Sequence, residues 1–280
     1  MRHLTRFLLV LLAAAFLSAC AVSPFAPDNK SKSDALLQQQ IARATVQITQ
    51  DVAPRLIYVG VAMDDQSTAF AGDVLLAASV AQQIDPQALV FSLNNPAPGG
   101  GISMPFSTRD NLEAVLKAVG SMARPQDKLM LLFSSHGAPG KLSLHAGQAH
   151  LGFVTEADLL RWLQPLKTRS MLLLISSCSS GSFIAPLHER QRIILTAAAK
   201  DRSSFGCTSR SDNTFFVKAL LGQPDLLKLS LQEAMARALV GVTALESQMH
   251  LTPPSEPQAS YGLDALAWSN QAIGHWLTSP

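Results

Sequence analysis

Hydrophobic and polar positions follow one another along the chain in blocks that predict strands and helices in turn. Five apolar runs bounded by polar segments predict buried strands over 55–63, 88–95, 128–135, 170–178 and 190–200. Longer periodic stretches between or before them predict helices over 34–50, 74–84, 111–123 and the later part of 145–166, where a short polar turn comes first. The pattern therefore predicts strands that alternate with helices.

Near-continuous apolar strands that alternate with helices are typical of a mostly parallel sheet covered on both faces. We therefore predict an α/β fold. Thr108 or Asp110 is expected to cap the helix over 111–123. In such sheets, ligands lie beyond the carboxyl ends of the strands. Polar residues that directly follow a strand are thus the first candidates for a functional site.

Two of these strand ends carry reactive side chains. The run "LMLLFSSHG" ends on His136 and Gly137, and "MLLLISSCSSGS" places Cys178 at the end of the fourth strand. An imidazole beside a thiol holds it as the nucleophilic thiolate, and the N–H groups of Gly137 and Cys178 are candidates for an oxyanion hole. Equally, His-Gly can be a simple turn, and a cysteine at a strand end is often buried and inert.

The composition favours a globular protein, since 48% of the residues are hydrophobic and 15% are charged. A net charge of +2 gives no reason to expect a nucleic-acid partner. No CxxC, HExxH or glycine-rich phosphate motif occurs, so no metal or cofactor is predicted. His145, His150 and His188 are expected at the surface. Asp64 and Asp65 are expected to cap a turn, or else to line the cleft or bind a cationic group.

The N-terminus predicts a targeting segment. Two arginines precede a short apolar run that ends in Leu-Ser-Ala-Cys, which resembles the lipobox of bacterial lipoproteins. On this interpretation residues 1–19 are a lipoprotein signal peptide, Cys20 carries the lipid, 20–33 form a polar tether and 34–280 form the domain. An ordinary signal peptide or a single anchor helix stays open. Because Ala rather than Asp follows Cys20, the expected location is the outer membrane, facing the periplasm.

Apart from Cys20, the chain has two cysteines, Cys178 and Cys207. In an oxidising compartment they could form a disulfide, which would silence a nucleophile at Cys178. The alternative is that both are free thiols, and this is the state we expect.

Three motifs in one order resemble the legumain branch of the caspase-like cysteine peptidases, peptidase family C13. The first is the strand ending in His136-Gly137, and the second is Cys178 with the Ser-Ser-Gly-Ser that follows it. The third comprises Thr196-Ala197-Ala198, Ser203-Ser204-Phe205 and Thr214-Phe215-Phe216. The resemblance extends over about residues 55–265.

This resemblance implies a caspase-like (caspase-hemoglobinase) α/β/α sandwich in which His136 is the base and Cys178 the nucleophile. It also implies that Ser176, Ser203 and Ser204 line the S1 pocket. Legumains have a basic residue after the first strand and an acidic residue before the catalytic cysteine. This chain has "MDDQSTAF" and serine at those places. Asparaginyl specificity is therefore not predicted.

Together these features predict a lipid-anchored periplasmic cysteine peptidase that hydrolyses peptide or protein substrates and needs no cofactor. A transpeptidase would use the same residues with an amine in place of water. A catalytically silent scaffold or binding lipoprotein of the same fold is the alternative outside enzymes. An unrelated esterase activity has little support, because the chain has no GxSxG motif.

Overall fold

The described part of the chain begins after the predicted targeting segment. A computed structural model describes residues 26–50, 52–96, 100–147, 149–209 and 211–278. The expected signal peptide, 1–19, and Cys20 lie outside those residues. Among the helices within them, none is long and apolar enough to cross a membrane.

A single six-stranded sheet forms the centre of the fold. The strands, in chain order, are β1 (Leu56–Ala62), β2 (Leu89–Asn94), β3 (Lys128–Ser134), β4 (Gly137–Ala138), β5 (Lys141–Ala146), β6 (Ala149–Thr155), β7 (Ser170–Ser176), β8 (Arg192–Thr196) and β9 (Gln258–Tyr261). The central sheet has the order β2-β1-β3-β7-β8-β9. Its first five members are parallel and β9 is antiparallel to β8. The predicted mostly parallel sheet is therefore confirmed.

Helices cover both faces of this sheet. They are α1 (Pro27–Gln50), α2 (Thr68–Ile84), α3 (Arg109–Met122), α4 (Glu156–Leu163), α5 (Ile184–Leu187), α6 (Phe215–Leu221), α7 (Leu231–Gln248) and α8 (Leu266–Ser269). Strand β1 sends Ile57, Val59 and Val61 into the core beneath α1, α3 and α4, and Leu56, Tyr58 and Ala62 into the core beneath α2, α6 and α7. This alternation gives three layers, α/β/α, as expected.

Side-chain caps fix where several helices begin. Thr108 caps α3, because its side chain accepts a hydrogen bond from Asn111 N. Of the two predicted caps, Thr108 and Asp110, the structure therefore has Thr108. Thr155 and Asp158 form a reciprocal capping box at α4, which satisfies backbone donors at both positions. Helix α4 thus begins directly after β6, and α3 begins at the end of the segment that follows β2.

Helix α1 begins earlier than the sequence predicts. It starts at Pro27 rather than near residue 34, so the second half of the expected tether 20–33 is helical. A proline suits the first helical position, and Asp28 lies in the first turn, where the helix dipole favours an acid. Ser33 is fully buried and its hydroxyl accepts a hydrogen bond from Phe106 N at 2.8 Å. This segment therefore packs onto the domain.

A β-hairpin replaces the polar turn predicted before α4. Strands β5 and β6 form it, and β4 joins them in a separate three-stranded antiparallel sheet. Leu142, Leu144 and Ala146 are buried while their neighbours are not, which is the period-two pattern of a strand with one exposed face. The helix predicted after the turn is present as α4. Strand β9 was not predicted.

Candidate active site

The reactive residues leave the sheet at the same edge. Ser134 at the end of β3 is paired in register with Ser176 at the end of β7. The pairing continues beyond the strands, since Ser135 N donates to Ser176 O at 3.1 Å. His136 and Cys178 therefore follow at equivalent positions of two adjacent parallel strands, at their carboxyl ends.

His136 is held from two sides and remains partly exposed. Its imidazole packs edge-on against the ring of Phe70 in α2, with ring centroids 5.0 Å apart and an interplanar angle of 86°. Its backbone carbonyl accepts a hydrogen bond from Ser143 N of the hairpin at 2.9 Å. Helix α2 and the hairpin thus determine where the imidazole lies.

Cys178 is a partly exposed free thiol. Ser204 N donates to its Sγ at 3.3 Å, and Ser204 Oγ lies 3.8 Å from the sulfur. The loop after β8 therefore contacts the sulfur directly. Cys207 is also a free thiol in this structure. Burial, and secondarily the charge of Cys178, raise the pKa of Cys207, which disfavours its thiolate.

The turn after Cys178 is fixed by the loop that follows β8. Ser179 adopts a left-handed conformation with φ of 54°, and its N–H donates to Arg202 O at 2.8 Å. Gly181 N donates to Ala198 O at 2.8 Å. A Cβ at Gly181 would lie 2.8 Å from Lys200 N and 3.0 Å from Ala198 O, so the close approach of the loop after β8 requires glycine here.

The backbone after His136 packs directly on the backbone at Cys178. A Cβ added to Gly137 would lie 2.7 Å from Ser177 Oγ and 2.8 Å from Cys178 O. Farther along, Gly140 N donates to Ser182 Oγ at 2.9 Å. The two strand ends are therefore in contact over several residues. The role of the Gly137 and Cys178 N–H groups as an oxyanion hole stays a prediction.

The three serines expected in the S1 pocket occupy different environments. Ser203 is exposed and Ser204 is partly exposed beside the sulfur of Cys178, so both are positioned to meet a ligand. Ser176 is 1% exposed and its hydroxyl lies 2.9 Å from Thr214 Oγ1. The prediction that Ser176 lines the pocket is wrong, because its side chain points into a buried polar network.

Asp73 is the residue of this region that sequence reasoning missed. It lies in α2, is fully buried, and accepts hydrogen bonds from Ser134 Oγ at 2.7 Å and Thr214 N at 2.9 Å. Burial raises its pKa to about 6, while the hydrogen bonds from Ser134, Thr214 and Asn213 act in the opposite direction. The available signal was a single acid within the otherwise uncharged helix "TAFAGDVLLAASVAQQI".

Asp64, Asp65 and His145 form a polar group near the same edge. Asp64 Oδ1 accepts a hydrogen bond from Gln66 N at 3.0 Å, which confirms the expected turn cap. Asp65 Oδ1 lies 2.6 Å from His145 Nδ1, and its other oxygen accepts a hydrogen bond from Gly147 N. These contacts join the end of β1 to the hairpin.

The expectation of a surface position is wrong for His145, whose side chain is 14% exposed because Asp65 draws it inward. His150 and His188 are exposed, as predicted. Within the described residues, Asp64, Asp65 and His145 are the only three such side chains that bring possible metal-ligand atoms within 4.8 Å of one another. Their hydrogen bonds to one another and to the backbone account for the grouping without an ion.

Comparison with known proteins identifies a family model and a fold. Residues 108–236 match the model of the Peptidase C13 family, a range that includes both reactive strand ends. The structure is similar to that of caspase-1 from Spodoptera frugiperda, with a TM-score of 0.52 and 14% sequence identity over 75% of this chain and 86% of the caspase. Comparison with curated proteins finds no match. The fold is therefore caspase-like, as the sequence resemblance implied.

Proposed function

We propose that this chain is a cysteine peptidase in which Cys178 is the nucleophile and His136 the general base. The observation that carries the proposal is the register pairing of Ser134 with Ser176, which brings the two following strand ends to one edge of the sheet. The match of residues 108–236 to the Peptidase C13 family supports peptides or proteins as the substrate class.

The reaction would proceed through a thioester. His136 takes the thiol proton of Cys178, and the thiolate attacks the carbonyl carbon, so a C–S bond forms and the carbonyl electron pair moves to oxygen. The oxyanion collapses, the C–N bond breaks, and His136 returns its proton to the leaving amine. Water then attacks the thioester while His136 accepts a proton, and the C–S bond breaks to release the acid and the thiolate.

The contacts around Cys178 suit this chemistry. Ser204 N donates to the sulfur at 3.3 Å, which fixes the position of the sulfur before attack. Gly137 and Cys178 supply the backbone N–H groups of the proposed oxyanion hole, and glycine at 137 leaves that backbone open to a substrate carbonyl. Ser203 and Ser204 are the proposed S1 residues. We do not propose asparaginyl specificity.

The proposed location is the cell envelope of a bacterium. Leu17-Ser18-Ala19-Cys20 would be processed as a lipobox and Cys20 would carry the lipid, which anchors the domain to the outer membrane facing the periplasm. Two lipid chains or more give stable anchoring without a spanning helix. A peptidase held there would act on periplasmic peptides or proteins.

A covalent probe tests the proposed pair. A peptidyl acyloxymethyl ketone should label wild-type protein at Cys178, and Cys178→Ala should abolish labelling and peptide cleavage. His136→Ala should lower both rates by roughly 100-fold or more, the scale of a lost general base. Cys207→Ala and His188→Ala are the matched controls and should react like wild type. Peptide cleavage by Cys178→Ala at the wild-type rate would rule the proposal out.

The same experiment separates neighbouring functions. A product joined to an added amine, at the expense of the hydrolysis product, would identify a transpeptidase that uses the same thioester. Labelling without any cleavage, in a peptide library and in a periplasmic extract, would favour the silent scaffold and contradict the proposed peptidase.

A further inference from the structure

A buried carboxylate lies directly beneath the two reactive strand ends. Asp73 in α2 has no solvent exposure, and nothing in the proposed reaction uses it. A charged group in the interior is costly unless it is paired or well hydrogen-bonded. An apolar residue of similar size would be cheaper if the helix needed only a packing partner. The groups that Asp73 hydrogen-bonds should therefore explain why a carboxylate is buried here.

Asp73 is bonded to the strand that leads to His136. Ser134 Oγ, at the last residue of β3, donates to Asp73 Oδ2 at 2.7 Å. The start of α6 bonds to the same carboxylate, because Thr214 donates through its N–H at 2.9 Å and through Oγ1 at 2.8 Å. Asn213 Nδ2 donates at 3.3 Å. These donors compensate the buried charge.

The network also reaches the strand that leads to Cys178. Thr214 Oγ1 lies 2.9 Å from Ser176 Oγ, at the last residue of β7. A threonine hydroxyl has one hydrogen, and Thr214 gives it to Asp73, so Ser176 must donate to Thr214. The hydroxyl groups thus form one chain, from Ser176 through Thr214 to Asp73, while Ser134 donates to Asp73 from the other strand.

Helix α2, which contains Asp73, also contacts the imidazole of His136. Phe70, in the turn before Asp73, packs on the His136 ring. Gly72 allows the helix to approach the 211–214 segment closely, because a Cβ there would lie 1.7 Å from Asp212 O. Ser67 Oγ donates to Thr208 O at 2.8 Å and Thr68 Oγ1 donates to Ser211 O at 2.9 Å. The helix, the loop after β8 and both strand ends therefore meet at this carboxylate.

From these contacts we infer that Asp73 is a positioning residue, which holds the β3 and β7 ends in the alignment that lets His136 act on Cys178. The inference rests on the proposed function, since it gives Asp73 a role in that same pair. A positioning role differs from a general stabilising role in one respect. If Asp73 positions the strand ends, loss of its carboxylate must also remove the effect of His136 on the Cys178 thiol.

Alkylation of Cys178 by iodoacetamide, followed by peptide mass spectrometry, measures that effect without a substrate. His136→Ala should slow alkylation of Cys178 by about 10-fold or more at neutral pH, because the thiolate fraction falls. Asp73→Asn should produce a loss of similar size. The double variant should be no slower than His136→Ala alone, since both changes remove one interaction.

Two internal references separate positioning from damage to the fold. Cys207 is half-buried in the same molecule, and burial is the main cause that raises the pKa of its thiol, so its alkylation should stay well below the rate in urea-unfolded protein if the domain remains folded. Asp85→Asn is the matched control: Asp85 is 5% exposed, caps the other end of α2 and accepts hydrogen bonds from Leu56 N and Gln87 N. It should leave the Cys178 rate unchanged.

Should Asp73→Asn fail to fold, Ser134→Ala and Ser176→Ala test the same network one strand at a time. Each should slow Cys178 alkylation several-fold, whereas Ser92→Ala, at a buried serine of β2, should not. Additive losses in the double variant of Asp73 and His136, or wild-type rates in both serine variants, would overturn the inference and leave the peptidase proposal standing. No effect of His136→Ala in the wild-type background would overturn both.

Discussion

The proposed chemistry depends on two residues, His136 and Cys178, and the register of β3 and β7 determines where each of them leaves the sheet. The sequence identifies His136 and Cys178, because a strand that stops at a polar pair is visible as a pattern. It does not reveal what a strand-end serine contacts. Ser176 was assigned to the pocket, but it donates inward to Thr214. The alternation along β7 directs this side chain to the face of the sheet that α2 and α6 cover, but no local pattern shows which residue of that distant segment meets it.

Gly137→Ala tests how closely the two strand ends must pack. The added methyl group would lie 2.7 Å from Ser177 Oγ and 2.8 Å from Cys178 O, so one backbone has to move. We expect probe labelling of Cys178 to fall by about 10-fold or more, with a loss of about 1–3 kcal/mol in the free energy of unfolding, the usual cost of overpacking. Labelling kinetics and urea unfolding measure the two effects.

Gly101→Ala is the control for this substitution, because a Cβ at Gly101 has no neighbour within 4 Å. It should behave like wild type in both assays. Equal labelling of the Gly137 and Gly101 variants would show that the close approach has no bearing on Cys178.

At the scale of secondary-structure elements, the buried parallel strands were predictable and the exposed ones were not. The strands β1, β2, β3, β7 and β8 each contain a run of buried apolar residues, since both faces are covered. The hairpin β5–β6 and the edge strand β9 have half-exposed residues, so their weaker alternation was mistaken for turn or left unassigned. Helix α2 was recognised only from its apolar second half, which hid Asp73 in the first.

The buried carboxyl of Asp73, which hydrogen-bonds α2 to the end of β3, predicts that the free energy of unfolding depends on pH. Burial raises the pKa of Asp73 from 3.8 to about 6 in the folded chain, so the folded state holds this proton more tightly than the unfolded one. The stabilising contribution is present below about pH 4 and is lost as the pH rises through about 6. At about 1.4 kcal/mol per pH unit, the difference amounts to roughly 3 kcal/mol.

Urea unfolding of wild type and Asp73→Asn between pH 4 and pH 7 measures this contribution. Relative to the variant, wild type should lose about 2 kcal/mol over that range, because asparagine does not ionise and the unfolded-state carboxyl is already partly ionised at pH 4. Parallel pH profiles for the two proteins would mean that the carboxylate does not titrate in the way its burial implies.

At the scale of the whole molecule, different signals predict the domain and the targeting segment. The alternation of strands and helices predicted the α/β/α layers, whereas the boundary of the domain was less accurate, since α1 begins at Pro27 within the expected tether. The sequence shows a polar stretch there, but Ser33 and Leu37 are buried against the domain. The polar first turns of a helix, with few buried residues, resemble a linker until their packing partner is known.

The proposed lipid anchor predicts that Cys20 alone decides membrane attachment. In an enteric bacterial host grown with an alkyne fatty acid, wild-type protein should carry the label and sediment with the outer membrane. Cys20→Ser should lose the label and appear in the soluble fraction, while Cys207→Ser should behave as wild type. Membrane sedimentation of unlabelled Cys20→Ser would instead support a single anchor helix.

The close approach of β9 to the turn after Cys178 has a consequence for biosynthesis. Gln258 lies against Gly181, and Ser255 O accepts a hydrogen bond from Ala199 N at 2.8 Å, so this later segment packs on the turn after Cys178 and on the loop after β8. The ribosome synthesises both residues after Cys178. A polypeptide that ends before them lacks these contacts, so the turn after Cys178 is fully supported only once the segment over 255–258 has been translated.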